Sequence, residues 1–310
     1  MTDLRDSLVS DKPPLTSLFL ILAVIFIGFV VVGPLLGVAV GMVAYPDLSN
    51  EILSDSISPN ASIALLISQG IASAVGLILI PALYIRYTEQ KLLDPFFKKE
   101  TNLPLVVGML TVLAVAFIVS ISPITQWNMT FEFPESMKVF GDWARAKEDK
   151  LAELTKTLTQ FGSVGEFLFG LLVIAVIPAI GEEFVFRGLI QNELWRGTRN
   201  VHIAIWTSAF LFSAIHLQFF GFVPRMLLGA LFGYLYYWSG NLLVPMISHF
   251  LNNGLSLTLI YLQTVGVIDP GIDVDQETSA PLSLVAGCAV AVFALLYFFK
   301  KQYSSRPDHS

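Results

Sequence analysis

Six ionisable side chains fall within otherwise apolar stretches of the sequence: Glu182, Glu183, Arg187, His216, Arg225 and His249, with Asn252 and Asn253 close behind the last. Charges in such surroundings are costly to bury, so each is a functional hypothesis by default. On a helix, Glu183 and Arg187 are four residues apart and share a face, which allows an ion pair that lowers the cost of burying both. Glu182 points about 100° away and lacks that cation. An unpaired carboxylate in low dielectric is poised to accept a proton. His249 and Asn253 are also four apart, so an imidazole and an amide face the same way. A carboxylate beside one imidazole can hold and deprotonate a water. A second imidazole with an amide can donate hydrogen bonds to a developing oxyanion. Such a set suits hydrolysis of a peptide bond in a secluded site.

Each piece alone has a plainer reading. Two adjacent glutamates can anchor a helix at an interface, and a membrane histidine is most often an interhelical hydrogen-bond partner. His202 and His309 fall near a span end and in the polar tail, outside the set. Ser213 lies three residues from His216 but has no third partner for a nucleophilic triad. Cys288, the single cysteine, sits in an apolar stretch without a neighbouring charge and reads as inert.

These residues need helices to position them. A membrane-crossing helix takes roughly 20 mostly apolar residues. Eight stretches qualify: 15–43, 61–85, 103–124, 167–195, 201–219, 222–238, 242–262 and 281–299. The first has too long an apolar core for a cleaved signal peptide and reads as an anchor. Gly33, Gly37 and Gly41, and likewise Gly229 and Gly233, are spaced for close helix packing within the bundle. Depth decides whether the pieces can meet. Glu182 precedes Arg199, near the turn between the fourth and fifth spans, by 17 residues, and His216 follows it by 17. An antiparallel hairpin brings both to about 25 Å from that turn. His249 lies about 12 Å and Asn253 about 18 Å beyond the next turn on the same side. Three helices can therefore converge on one polar cavity.

Composition supports this reading. Of 310 residues, 55% are hydrophobic and 14% charged, against about 25% charged in a soluble domain. The expected fold is an all-α polytopic transmembrane helical bundle of about eight spans in a single domain, 1–310. The net charge of −6 has no concentrated basic run, so nucleic-acid binding has no footprint. Lys and Arg gather in the head (Arg5, Lys12), the second–third loop (Arg86, Lys91, Lys98, Lys99), the fourth–fifth loop (Arg196, Arg199) and the tail (Lys300, Lys301, Arg306). The first–second and seventh–eighth loops carry only acids, among them Asp47, Glu51, Asp55, Asp269, Asp273, Asp275 and Glu277. The positive-inside rule then puts both termini in the cytoplasm. The segment 125–165 mixes both signs at helical spacing and reads as an amphipathic extramembrane helix, with Trp143, Leu151, Leu154 and Leu158 on its apolar face.

The pattern resembles the CAAX protease and bacteriocin-processing (CPBP, or Abi) family of intramembrane endopeptidases, which includes the type II CAAX prenyl endopeptidases. Its three motifs are Glu-Glu-x-x-x-Arg, Phe-x-x-x-His and His-x-x-x-Asn on successive membrane helices. They are matched here in order by Glu182, Glu183 and Arg187, by Phe212 and His216, and by His249 and Asn253. The resemblance covers about 167–259, which it marks as the catalytic core. It implies Glu182 as general base, His216 as its helper in activating water, and His249 with Asn253 as the oxyanion site. Glu183 and Arg187 would support the motif helix. A metal-independent reaction is expected. The alternative is a zinc ion held by Glu182, His216 and His249. The depth count puts Glu182 and His216 nearer the outer side. The expected substrate is accordingly a peptide or membrane protein met in a bacterial plasma membrane, rather than a prenylated CAAX protein. Competing classes are a non-catalytic immunity or adaptor protein and a proton-coupled transporter. The absence of an inverted repeat argues against the transporter. The oligomeric state has no sequence signal.

Overall fold

The structure, a computed structural model, describes residues 10–52, 58–97, 101–269 and 278–304. Arg5, Asp55, Lys98, Lys99, Asp273, Asp275, Glu277, Arg306 and His309, which carry part of the charge pattern, lie outside them. The described residues form an all-helical bundle. Long apolar runs close their backbone hydrogen bonds within the helix, as a bilayer requires. The main elements are α1 (Pro14–Ala44), α2 (Ala61–Thr88), α3 (Leu103–Met129), α4 (Lys138–Leu158), α5 (Val164–Thr198), α6 (Val201–Ala214), α7 (Phe222–Ser239), α8 (Leu243–Thr264) and α9 (Leu282–Tyr303). Eight of these correspond to the eight sequence spans, and α4 is the amphipathic helix. Six (α1, α2, α3, α5, α8 and α9) are long and apolar enough to cross a membrane.

Local sequence sets the boundaries. The Asn102 side chain caps α3, Ser163 caps α5, and Asn200 accepts from the backbone N–H groups of His202 and Ile203 to start α6. Arg199 takes a left-handed conformation (φ 57°) just before that cap, which makes the sharp turn between α5 and α6. Helix α3 runs through Pro123 to Met129 and so takes in the start of the segment expected outside the membrane at 125–165.

Helix α6 corrects one expectation. The sequence reading continues this span to residue 219, but the helix stops at Ala214. At 14 residues it is about 21 Å long, shorter than the roughly 30 Å hydrocarbon core. Short i→i−3 bonds at His216 and Leu217 tighten the end, and Leu217 turns into positive φ (53°). His216 therefore sits in a turn.

Helices α6 and α7 pack as a hairpin, α1 lies along α2, and α9 along α3. The glycines permit these approaches: a Cβ on Gly33 or Gly37 would overlap the backbone of Ala72 or Ser68 in α2. The outward faces of α1 and α9 carry exposed Phe19, Val43 and Phe293, the inverse of a soluble surface. At one end, the side chains of Ser10 and Lys12 bond Glu89, and Arg196 bonds the carbonyls of Ser10 and Lys12. At the other, α4 packs on the 215–221 turn. Arg145 lies over the Phe220 ring at 3.3 Å. The rings of Phe133, Phe140 and Phe219 meet edge to face. Of the expected apolar face of α4, Leu151, Leu154 and Leu158 are half-buried and Trp143 is exposed.

Candidate active site

The motif residues divide between a closed knot and an open cavity. In the knot, Glu183 Oε1 accepts from Arg187 Nη1 and from His249 Nδ1–H, both at 2.8 Å. Glu183 and Arg187 are fully buried and His249 nearly so. Arg187 Nη2 donates to the Gly229 carbonyl of α7 at 2.8 Å. Gly229 makes that approach possible, since a Cβ there would press on Ala209 and Phe212. The guanidinium lies 4.6 Å from the Phe212 ring centroid and 5.3 Å from that of Phe232. Phe232 also stacks on His249 at 5.1 Å, so Phe212 and Phe232 wall the knot on both sides. The predicted Glu183–Arg187 pair is present. Its second partner, His249, is not visible in the spacing, because α8 meets α5 only through tertiary packing.

The polar backbone of α5 is tied to its neighbours. Residues Phe184–Gln191 widen into a π-helical stretch, which leaves carbonyls needing outside donors. Ser208 Oγ of α6 donates to the Phe186 carbonyl at 3.0 Å, and the Asn192 amide donates to the Gly188 carbonyl at 2.7 Å. Gln191 donates to the Gly233 carbonyl of α7 at 3.2 Å. These ties hold α5, α6 and α7 in one register around the knot.

The cavity, about 860 Å³, opens beside the knot. Glu182, His216, Arg225, His249 and Asn253 all line it. The convergence expected from the depth count is thus observed. Glu182 Oε2 lies 3.9 Å from His249 Nε2, too far for a hydrogen bond. His216 Nδ1–H donates to the Phe212 carbonyl at 2.8 Å. That fixes the tautomer and leaves a lone pair on Nε2. The Asn252 amide donates to Asn253 Oδ1 at 3.1 Å, so the Asn253 N–H groups have no partner among the described residues. Chemically, the cavity holds two proton acceptors, the Glu182 carboxylate and His216 Nε2, and the Asn253 amide as a donor on the same helix as His249, with the Gln69 amide also on its wall. His249 is different. With Nδ1–H committed to Glu183, its Nε2 donates a hydrogen bond only as imidazolium.

Spans without motifs also reach the cavity, through Gln69 of α2 and Thr125 of α3, and Ser256 of α8 lines it one turn beyond Asn252. Arg225 stood out in the sequence as a misplaced charge, but nothing in the spacing gave it a role. Among the described residues, no group of three His, Cys, Asp or Glu side chains is arranged to hold a metal ion, and Glu182, His216 and His249 are among those residues.

Residues 164–255, which span all three motifs, match the family model described as type II CAAX prenyl endopeptidase Rce1-like. This segment is therefore similar to the Rce1-like endopeptidases. Two curated relatives align within the chain. One is "Uncharacterized protein YpbD" of Bacillus subtilis (strain 168), 32% identical over 85 residues, which are 26% of this chain and 40% of the relative. The other is "Membrane-embedded CAAX protease MroQ" of Staphylococcus aureus (strain USA300), 37% identical over 87 residues, which are 26% of this chain and 35% of the relative. The chain thus spans well under half the length of either relative. No solved structure matches. With its apolar helices, the chain is an integral membrane protein, and the segment similar to the Rce1-like family supplies part of the cavity wall.

Proposed function

We propose that the chain is an intramembrane endopeptidase that hydrolyses a peptide bond without a metal. The observation that carries this reading is the division between two neighbouring glutamates. Glu183 is locked by a cation and an imidazole, while Glu182 faces a cavity containing a second imidazole and a free amide. A water between Glu182 and His216 gives its proton to the Glu182 carboxylate, with His216 Nε2 holding it in line. The hydroxide attacks the scissile carbonyl. Asn253 Nδ2 donates to the resulting oxyanion, joined by His249 Nε2–H when that ring is protonated. Glu182 then returns its proton to the leaving amine, so the enzyme ends as it began. Glu183 and Arg187 position His249 and do not touch the reacting atoms.

The substrate class is a peptide or membrane protein reached from within the bilayer. A membrane adaptor or a proton relay would need the buried charges but not a water flanked by acceptors and faced by an amide donor. Both termini are placed in the cytoplasm by the charge pattern, which puts the cavity towards the outer side together with α4.

The test is cleavage of a peptide library by the protein in lipid nanodiscs, with Glu182→Ala and His216→Ala as controls. Cleavage by the parent that both changes remove is expected. Cleavage that survives both would sink the assignment. Metal content after chelation, measured beside activity, addresses the metal: full activity at negligible zinc is expected, and loss restored by zinc would contradict it.

A further inference from the structure

Arg225 is the cavity cation that the hydrolytic scheme leaves unused. It differs from Arg187 in having no ion partner, although among the described residues each guanidinium keeps one buried nitrogen, Arg187 Nε and Arg225 Nη1, without a hydrogen bond. Arg187 is paired with Glu183 and capped by the Gly229 carbonyl. Arg225 makes no ion pair within 4 Å among the described residues. Its Nη2 donates to Gln218 Oε1 at 2.8 Å, while Nη1 is buried with no hydrogen-bond partner. Glu148 of α4 is bonded to it only through Gln218 Nε2, which donates to Glu148 Oε1 at 3.3 Å, while Glu148 and Glu182 both attract it through space. The guanidinium lies over the bare Cα of Gly221, where a Cβ would stand 3.0 Å from Nη2. Glycine at the turn thus leaves the guanidinium room on the cavity wall.

A guanidinium on a low-dielectric cavity wall without an ion partner is expensive to maintain. Its planar fork matches a carboxylate, which can take two parallel N–H···O bonds. A peptide offers a carboxylate in two places, at its C-terminus and on Asp or Glu side chains. We propose that Arg225 is the carboxylate subsite of the cavity and fixes where a peptide lies relative to Glu182 and His216. Calling that peptide a substrate rests on the endopeptidase reading. The subsite itself is a binding property and is tested without turnover. Glu148 is the resident counter-charge, held back behind Gln218, and competes weakly with an arriving carboxylate. The same contacts offer Arg225 a second role, holding the 215–221 turn through Gln218. The two roles separate experimentally, because only the first discriminates an acid from its amide.

The test uses the full chain in nanodiscs, carrying Glu182→Gln so that nothing is cleaved. Ligand-detected NMR compares three probes at neutral pH: acetyl-Ala-Ala-Leu as free acid, the same peptide as amide, and acetyl-Ala-Glu-Leu as amide. A carboxylate probe should bind about tenfold more tightly than the neutral amide, as a charge-assisted contact implies. Preference for the first probe assigns a C-terminal carboxylate; preference for the third assigns an acidic side chain. Arg225→Gln should reduce the ratio to about one, and Arg225→Lys should retain part of it. Gln218→Ala breaks the tie to the turn but keeps the guanidinium, so it should preserve the ratio. Glu148→Gln should widen it. Equal binding of acid and amide, no binding of any probe, or a preference that survives Arg225→Gln overturns the proposal. Failure of the parent chain to cleave peptides would sink the endopeptidase reading and leave this ratio standing.

Discussion

Two arginines on neighbouring helices mark a closed half and an open half of the motif region. Arg187 on α5 is boxed by Glu183, the Gly229 carbonyl and two aromatic rings. Arg225 on α7 lines the cavity and has no ion pair among the described residues. The adjacent glutamates divide the same way, Glu183 inward and Glu182 outward. Turning by one residue moves a side chain about 100° around a helix, and here that turn separates a structural carboxylate from a chemical one. Similar residue types in one apolar setting thus do opposite work. The knot holds three helices in register, and the cavity beside it borrows that rigidity for its geometry.

Breaking the knot should cost stability first. Arg187→Met leaves Glu183 and His249 buried without their cation, and removal of one partner of a buried pair costs about 3–5 kcal/mol. Thermal unfolding in detergent should fall sharply, and activity should fall with it. On the cavity side, Asn253→Ala removes the amide donor that shares a helix with His249. Turnover should drop about 10²–10³-fold, while the melting temperature stays near that of the parent. A loss of stability as large as that of Arg187→Met would erase the distinction between the halves. Gly229→Ala touches both halves more gently. The new methyl crowds Ala209 and Phe212 and shifts the carbonyl that caps Arg187, at a cost of about 1–3 kcal/mol read from the melting curve.

The smallest effect lies at the rim. Burial raises the Glu148 carboxyl above its usual range, against the opposing influence of Arg225 and the Phe220 N–H. A raised carboxyl favours the folded state when protonated. That contribution is present below its unfolded value and is lost as pH rises through the raised one. Glu148→Gln keeps the contact without the charge. It should melt slightly above the parent at neutral pH, by about 0.5 kcal/mol or less at this half-exposed site, and level with it near pH 4. A variant less stable at neutral pH would mean that Glu148 acts chiefly as the counter-charge of Arg225.

Much of this was legible from spacing. The rarity of charges in an apolar chain singled out Glu182, Glu183, Arg187, His216 and His249, and the count from the Arg199 turn brought Glu182 and His216 level. What stayed hidden depended on contacts between elements. His249 donates to Glu183 because α8 packs on α5, which no i,i+4 rule encodes. The early end of α6 follows from a tightened turn and the positive φ of Leu217, a residue type that does not advertise it. Arg225 carried a signal, a charge without a motif, but its idle donor is visible only once Gln218 and Glu148 are placed.

The central claim is that neighbouring carboxylates have separate duties. Glu182→Gln and Glu183→Gln, purified side by side, test it in one comparison of turnover and unfolding. The expected result is that Glu182→Gln unfolds like the parent and loses about 10²–10⁴-fold in turnover, whereas Glu183→Gln unfolds at markedly lower temperature. Retained turnover in Glu182→Gln, or equal stability of the two variants, would contradict the account.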